Sequence, residues 1–349
     1  QAIERLFAMP VTRIFLPVRS SSIGTDWNGL HRAILPYPPP RSRSNVLHRP
    51  VPTVQITPIP GDLPREFASR DALEQLLAEE FPEAEGSLSP IRGGRRAAEA
   101  KLAQVNPARY AKSRNHLNGA VTGLSPYIRH GVLTLAEVRD AVFQRIRNRN
   151  DGSKLINELG WRDFWQRMWL ELGEGIHDDQ EEPKTGHAAG SYAKELPADV
   201  REGTTGLACM DGFRDELVTT GWLHNHARMW MAAWLVHWRR VHWKAGADWF
   251  LEHLVDGDPA SNNLSWQWVA STFSHKPYFF NRDNLVRYGG TRHCDDCSSV
   301  GRCPFDGSYE QLESQLFAPM PAIRRSGNGG NGRNRRRSGA SAALARPKR

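Results

Sequence analysis

From Ser69 onward the apolar positions fall on a helical period. In Ser69-Arg70-Asp71-Ala72-Leu73-Glu74-Gln75-Leu76-Leu77 they recur at i, i+3 and i+4, and Gly93-Gly94 opens a second such stretch from Arg95 to Val105. The same spacing predicts helices over 133–146, 161–172, 211–220, 223–240 and 249–255, separated by Gly or Pro turns. No βαβ alternation and no Gly-x-Gly-x-x-Gly loop occurs, which excludes a Rossmann cofactor domain. The pattern therefore predicts an all-α body over 66–320. Residues 1–65 are rich in Pro, Ser and Arg, with Pro36-Tyr37-Pro38-Pro39-Pro40 and Pro50-Val51-Pro52, and read as an irregular segment with room for a strand or two. Residues 321–349, rich in Gly, Asn and Arg, read as a disordered basic tail.

Composition narrows the classes. A chain of 349 residues has room for a sizeable core, and no run of about 18 apolar residues predicts a membrane span. The first 18 residues are broken by Glu4, Arg5 and Arg13 and lack the layout of a signal peptide, so a soluble cytoplasmic protein is expected. The formal charge of +8 invites a nucleic-acid reading, but the last 28 residues carry eight Arg and Lys348 with no acid. That +9 leaves about −1 for the rest. The excess charge thus describes a basic arm able to touch phosphates, or merely a solubilising end, more than it describes the folded body.

Eleven of the twelve tryptophans lie between Trp161 and Trp268, Trp27 being the exception. Core packing explains most of them, and Trp165, Trp169, Trp230, Trp234 and Trp238 are assigned to it. Trp266-Gln267-Trp268 has period two and follows the polar, turn-rich run from Asp256 to Asn263, which is expected at a cavity rather than inside a helix, so that the indoles beside it suit a planar ligand. Four cysteines complete the unusual composition. Cys294-x-x-Cys297 with Cys303 gives three ligands at metal-binding spacing, and Cys209 is a distant fourth; on spacing alone this could be a zinc site, with free thiols as the plainer alternative.

Five motifs in order and spacing carry a family resemblance. They are Gly93-Gly94 through Tyr110 and Arg114; Thr122-Gly123-Leu124-Ser125-Pro126-Tyr127; Asn157-Glu158-Leu159-Gly160-Trp161-Arg162-Asp163-Phe164; Thr220 through Met229; and Leu254 through Thr272. Over about 93–278 the chain resembles the flavin-binding catalytic domain of the DNA photolyase and cryptochrome family. The family's N-terminal α/β antenna domain does not fit into the first 90 residues, so a short, antenna-less, monomeric member is expected.

The resemblance implies FAD as cofactor. It implies that Tyr110 and the loop of Thr122, Gly123, Leu124 and Ser125 hold the diphosphate, an ordinary helix cap being the plainer alternative for that loop. It further implies that Arg228 pairs with Asp256 beside the ring, that Gly257 and Asp258 lie at its polar edge, and that Asn262 faces N5. An amide there suits a reduced anionic flavin, and so leans towards repair. Glu158, Trp161, Asn225, Met229 and Trp268 match the family's pocket for a flipped-out cyclobutane pyrimidine dimer, with Arg162 and His226 as further DNA contacts. Asn225 and Met229 stand where (6-4) photolyases carry histidines. Trp266 and Trp243 match the inner and middle members of the family's electron-transfer chain; the outer one has no match, and a count along the chain falls near Gly190 with Tyr192 beside it.

One bacterial branch of the family carries an iron-sulfur centre, and Cys209 with Cys294, Cys297 and Cys303 resembles its arrangement, implying a [4Fe-4S] cluster. The implied activity is light-driven splitting of cyclobutane dimers in UV-damaged DNA, single-stranded or locally distorted because the binding surface is small. The alternatives are (6-4) repair, a cryptochrome-like photoreceptor, or a light-independent nucleic-acid module like the helical iron-sulfur core of primase large subunits.

Overall fold

The computed structural model describes Pro64, residues 67–82 and residues 88–319. The tail 321–349 and, apart from Pro64, the segment 1–65 lie outside the described residues. Two compact units divide the chain, Gln1–Ala84 with Leu135–Asp140, and Glu85–Thr134 with Ala141–Arg349. The all-α expectation holds: among the described residues there is no strand, only an isolated bridge between Ala193 and Val241. None of the described helices is long and apolar enough to cross a membrane.

The helices run in chain order α1 (Arg70–Glu80), α2 (Arg95–Ala103), α3 (Pro107–Ser113), α4 (Ser125–Arg129), α5 (Leu135–Arg145) and α6 (Arg149–Leu172). After 3-10 turns at Gly173–His177 and Ala189–Ser191 come α7 (Ala198–Glu202), α8 (Ala208–Thr220), α9 (Asn225–Ala233), α10 (Trp243–His253), α11 (Pro259–Ala270), α12 (Arg282–Gly289) and α13 (Tyr309–Leu316). Local chemistry sets their ends. Ser69 caps α1 by accepting from the Ala72 amide, and Ser308 and Gln311 form a reciprocal capping box on α13.

Three elements differ from the sequence reading. Helix α6 begins twelve residues earlier than the pattern suggested, at Arg149, because Asn148 caps it and Asp151 sits in its first turn. Its Gly152 is no breaker: a Cβ there would lie 3.0 Å from Ile146 and 3.1 Å from Val142, so the small residue permits close packing. The segment 223–240 is not one helix; α9 widens into a π turn at Trp234–Trp238. The third difference corrects the expectation for the run from Asp256 to Asn263, whose part from Pro259 onward lies inside α11 together with Trp266 and Trp268. The polar run before them is a helix start, with Asp258 accepting from the Ser261 amide and Pro259 in the first turn, where its missing N–H costs nothing.

The core of the larger unit is aromatic. Trp230, Trp234, Phe213, Phe250, Phe280 and Phe305 are almost fully buried, each contributing roughly 1.5–3 kcal/mol. Trp230 stacks on Phe213 at 5.9 Å and donates its indole N–H to Asn284, while Phe280 lies 4.7 Å from Phe305. Trp165, Trp169 and Trp238 depart from the core assignment: each is half-buried, and Trp165 stacks on Trp161 at 5.5 Å.

Candidate functional site

Helix α6 organises the site. It packs on α3 and on α11, and its side chains point to both. Towards α3, Glu158 receives the Arg114 guanidinium at 2.7 Å, and that guanidinium also lies 5.6 Å over the Tyr110 ring. Burial raises the Glu158 carboxyl above its ordinary value, against the pull of Arg114 and Lys154. Burial, then the Glu158 charge, pushes the Tyr110 phenol up to about 12. Towards α11, Gln166 donates to Asp258 at 2.7 Å and Arg162 approaches the same carboxylate at 3.6 Å. Asp258 is 5% exposed and also caps α11, so one carboxylate fixes the crossing of the two helices.

Residues Tyr110 and Thr122 line a cavity of about 220 Å³ together with Lys101, Gln104, Asn106 and Arg109. No acid lines it. Thr122 Oγ1 accepts from the Leu124 amide at 3.3 Å, and Gly123 takes a φ of +62°. A Cβ on Gly123 would come 2.8 Å from Cε of Lys101, so the glycine lets the lysine lie across the loop. Lys101 and Arg109 lie within the stretch from Gly93 to Tyr110, but the resemblance assigns them no role there; only the fold brings them to the same cavity as Thr122.

Arg228 donates through Nη2 to both oxygens of Asp256, at 3.1 and 2.9 Å, and through Nε to the Leu223 carbonyl. The Gly257 carbonyl accepts from Arg129. Asn262 is committed through its amide to the Ala247 carbonyl at 2.9 Å and to Asn263. The Ser261 hydroxyl beside it is buried without a partner among the described residues. An orphaned hydroxyl, a cationic cavity without acids and an open glycine turn form a donor set that fits an anionic dinucleotide such as FAD.

In the candidate lesion wall, Trp161 stacks on Trp165 with an interplanar angle of 28°, and Trp165 continues to Phe273 at 6.0 Å. Trp268 lies 5.6 Å from Tyr278, and Asn225 donates to Met229 Sδ at 3.5 Å. Two DNA expectations require correction. His226 is 4% exposed and packs among His224, Trp230 and Tyr288, so it presents no surface to DNA; burial, reinforced by His224, Arg114 and His116, brings its imidazole down to about 3. Arg162 is turned inward to Asp258, and burial lowers its guanidinium against the pull of Asp258 and Asp256.

Trp266 and Trp243 meet the same helix face. Trp266 lies edge-on to Phe250 at 5.0 Å and presses on Gly246, which is one turn from Trp243 on α10. Trp243 is 2% exposed, and it lines a small cavity with Tyr192, whose hydroxyl bonds to Thr185 at 2.8 Å.

Cys209 is buried in α8, and Cys294, Cys297 and Cys303 are half-buried in the loop after α12. Burial first, and then Cys303, Cys294 and Cys297 in turn, push the Cys209 thiol up to about 12, so the four sulfurs share a neighbourhood. Among the described residues, however, no three His, Cys, Asp or Glu side chains are grouped closely enough to hold a metal ion.

The helical body thus carries a cationic cavity, a buried Arg–Asp pair and a flanking aromatic stack. Residues 155–295 match the family model described as the FAD binding domain of DNA photolyase. Over that stretch, about two fifths of its length, the chain is similar to this family. It is 35% identical to a deoxyribodipyrimidine photo-lyase of Streptomyces griseus over 168 residues, covering 47% of this chain and 35% of that protein. Similarity to a deoxyribodipyrimidine photo-lyase of Agrobacterium fabrum is 31% identity over 218 residues, covering 60% and 44%. The fold is similar to a solved cryptochrome of Synechocystis sp. at a TM-score of 0.53 and 26% identity, over 60% of this chain and 47% of that one. The chain thus spans less than half the length of these relatives.

Proposed function

We propose that the chain is the FAD-dependent catalytic part of a light-driven DNA lyase that splits cyclobutane pyrimidine dimers. The observation that carries this reading is the double duty of α6: Glu158 and Trp161, one turn apart and both half-buried, are the side chains offered to a lesion, while Arg162 and Gln166 of the same helix reach Asp258, assigned to the flavin pocket. Reduced FAD, when bound, supplies a single electron under light. Everything else falls to the protein. Lys101 and Arg109 balance the diphosphate beside Tyr110 and the Thr122–Ser125 loop, and Arg228, Asp256, Gly257, Asp258 and Asn262 hold and orient the ring. Glu158, biased by burial towards its protonated form, donates to a pyrimidine carbonyl and stabilises charge on the dimer, with Arg114 holding it in place. Trp161 and Trp268 stack on the flipped-out bases, a contribution of roughly 1–3 kcal/mol per base, and Asn225 and Met229 complete the wall.

The reading extends to a cytoplasmic monomer with a preference for single-stranded or distorted DNA, and to a [4Fe-4S] cluster on Cys209, Cys294, Cys297 and Cys303. Four thiols drawn to one end of the unit, with no competing carboxylate required, support the cluster. Iron and acid-labile sulfide near four atoms each per chain are expected in anaerobically purified protein; zinc or no metal overturns that part.

The decisive assay is release of intact thymines from a single-stranded oligonucleotide bearing one cyclobutane dimer, with reduced protein, in blue light and in darkness. Light-dependent repair is expected, with a duplex repaired more slowly. A photoreducible flavoprotein that splits no dimer would instead favour light sensing, the second reading, for which the likeness to the Synechocystis cryptochrome speaks.

A further inference from the structure

Trp243 donates its indole N–H to a carboxylate, Oδ1 of Asp179. That carboxylate is held from several directions. His242 faces its other oxygen through Nε2 at 3.5 Å, and because Nδ1 of His242 accepts from the Lys244 amide at the start of α10, Nε2 is left as the proton-bearing nitrogen. The loop that carries Asp179 is pinned to α11: the Gln180 amide donates to Gln267 at 3.1 Å, and Gln267 in turn donates to the Ile176 carbonyl. Burial raises the Asp179 carboxyl, but the hydrogen bonds from His242 and Trp243 outweigh it and hold the group below the ordinary range. The carboxylate is therefore ionised at neutral pH. Trp243 itself is 2% exposed, which denies bulk water the role of acceptor for its proton.

We propose that Asp179 is the built-in base that takes the Nε1 proton of Trp243 when this tryptophan is oxidised during light-driven flavin reduction. The inference rests on the flavin reading above and on Trp243 serving as an electron donor. Trp266 gives one electron to light-excited oxidised flavin and is refilled from Trp243, which becomes a radical cation. The Nε1–H bond then breaks, its electron pair stays on nitrogen, and the proton forms an O–H bond on Asp179. A neutral indolyl radical faces a carboxylic acid, and a solution thiol later restores the missing electron. Moving the proton traps the charge separation, since return of the electron now requires the proton to return as well. His242 is a positioning residue: it aims the carboxylate and keeps it ionised.

The test is time-resolved absorption on FAD-loaded wild-type, Asp179→Asn, Asp179→Glu and Trp243→Phe proteins, in H2O and D2O, with flavin content and thermal midpoint recorded for each. The amide introduced by Asp179→Asn preserves an acceptor oxygen for the indole but binds no proton at neutral pH. The tryptophan radical in wild type is expected to lose its cation spectrum with a deuterium isotope effect. In Asp179→Asn that loss slows by about 100-fold or more, the lower range for removal of a positioned base. The yield of lasting photoreduction falls with it, and Asp179→Glu recovers both. Should Asp179→Asn be poorly folded, the isotope effect and Asp179→Glu carry the test alone. A neutral radical forming in Asp179→Asn at the wild-type rate, or a cation decaying in wild type without an isotope effect, overturns the proposal. Wild-type protein that binds flavin but yields no tryptophan radical overturns the relay and the proposal with it. Dimer splitting by chemically pre-reduced wild-type protein reads the repair function separately.

Discussion

Adding one methyl group at Gly246 tests whether Trp266 is clamped as described. A Cβ at this position in α10 would stand 2.5 Å from Cζ3 of Trp266 and closer still to Cη2. Neither side has slack: Trp266 is 3% exposed and its ring is fixed edge-on by Phe250. Glycine to alanine inside a helix otherwise favours folding by roughly 0.5–1 kcal/mol. Gly160, in the middle of α6, provides that reference, since a Cβ there meets nothing within 4 Å. Subtracting Gly160→Ala from Gly246→Ala cancels the helix-propensity gain and leaves the overpacking cost, about 1–3 kcal/mol or more because an aromatic ring, not a flexible chain end, must move. The two variants should therefore melt roughly 5 °C apart in a unit of this size, Gly160→Ala above wild type and Gly246→Ala below it. Urea denaturation and thermal melts followed by far-UV circular dichroism give the comparison. Equal stabilities for the two variants would refute the clamp, and with it the close approach of Trp266 to the turn that carries Trp243.

Further outcomes follow from other parts of the larger unit. His224, His226 and His237 have imidazoles depressed to about 4, 3 and 4, chiefly by burial, so the unfolded chain takes up their protons first as pH falls. The stability they contribute is complete above 6.5 and is lost as pH falls from there through the folded values; His226→Leu should reduce the acid slope of unfolding free energy by about one proton, or about 1.4 kcal/mol per pH unit. Asp258→Ala removes a helix cap and the anchor of Gln166 and Arg162 together and should cost about 3 kcal/mol, with loss of flavin from the purified protein; a stable, yellow variant contradicts the account of the α6–α11 crossing. Lys101→Ala should weaken FAD about fivefold, near 1 kcal/mol, and flatten the salt dependence of binding, whereas an unchanged dissociation constant removes Lys101 from the diphosphate site.

The helical body was readable because its apolar spacing repeats over segment after segment, and the motif resemblance then singled out Tyr110, Arg228, Asp256 and Asp258 as candidates. What escaped the sequence is instructive in physical terms. Polar residues from Asp256 to Asn263 look like a turn, yet a helix start needs such residues to satisfy its free amides. Gly152 and Gly160 look like breakers but are respectively a packing site and an open surface position. His226 looks like a basic surface group, whereas its burial depends on Trp230 and Tyr288, the latter some sixty residues away. The link between Asp179 and Trp243 joins a loop to a helix and leaves no local signature at all.

The π turn at Trp234–Trp238 bears on how the chain compares with its relatives. A wide turn of this kind holds one residue more than an α-helical turn, without a loop to mark the addition. A relative with an uninterrupted helix here is one residue shorter, so the correct gap in an alignment falls within a buried helical stretch, where gaps are usually penalised. Misplacing it shifts Arg239 to Trp243 by one position, and each step swings a side chain by about 100° around the axis. The same extra residue makes this segment a place where a single deletion can be absorbed by rewinding, while one elsewhere in α9 or α10 would turn the following side chains away from their partners.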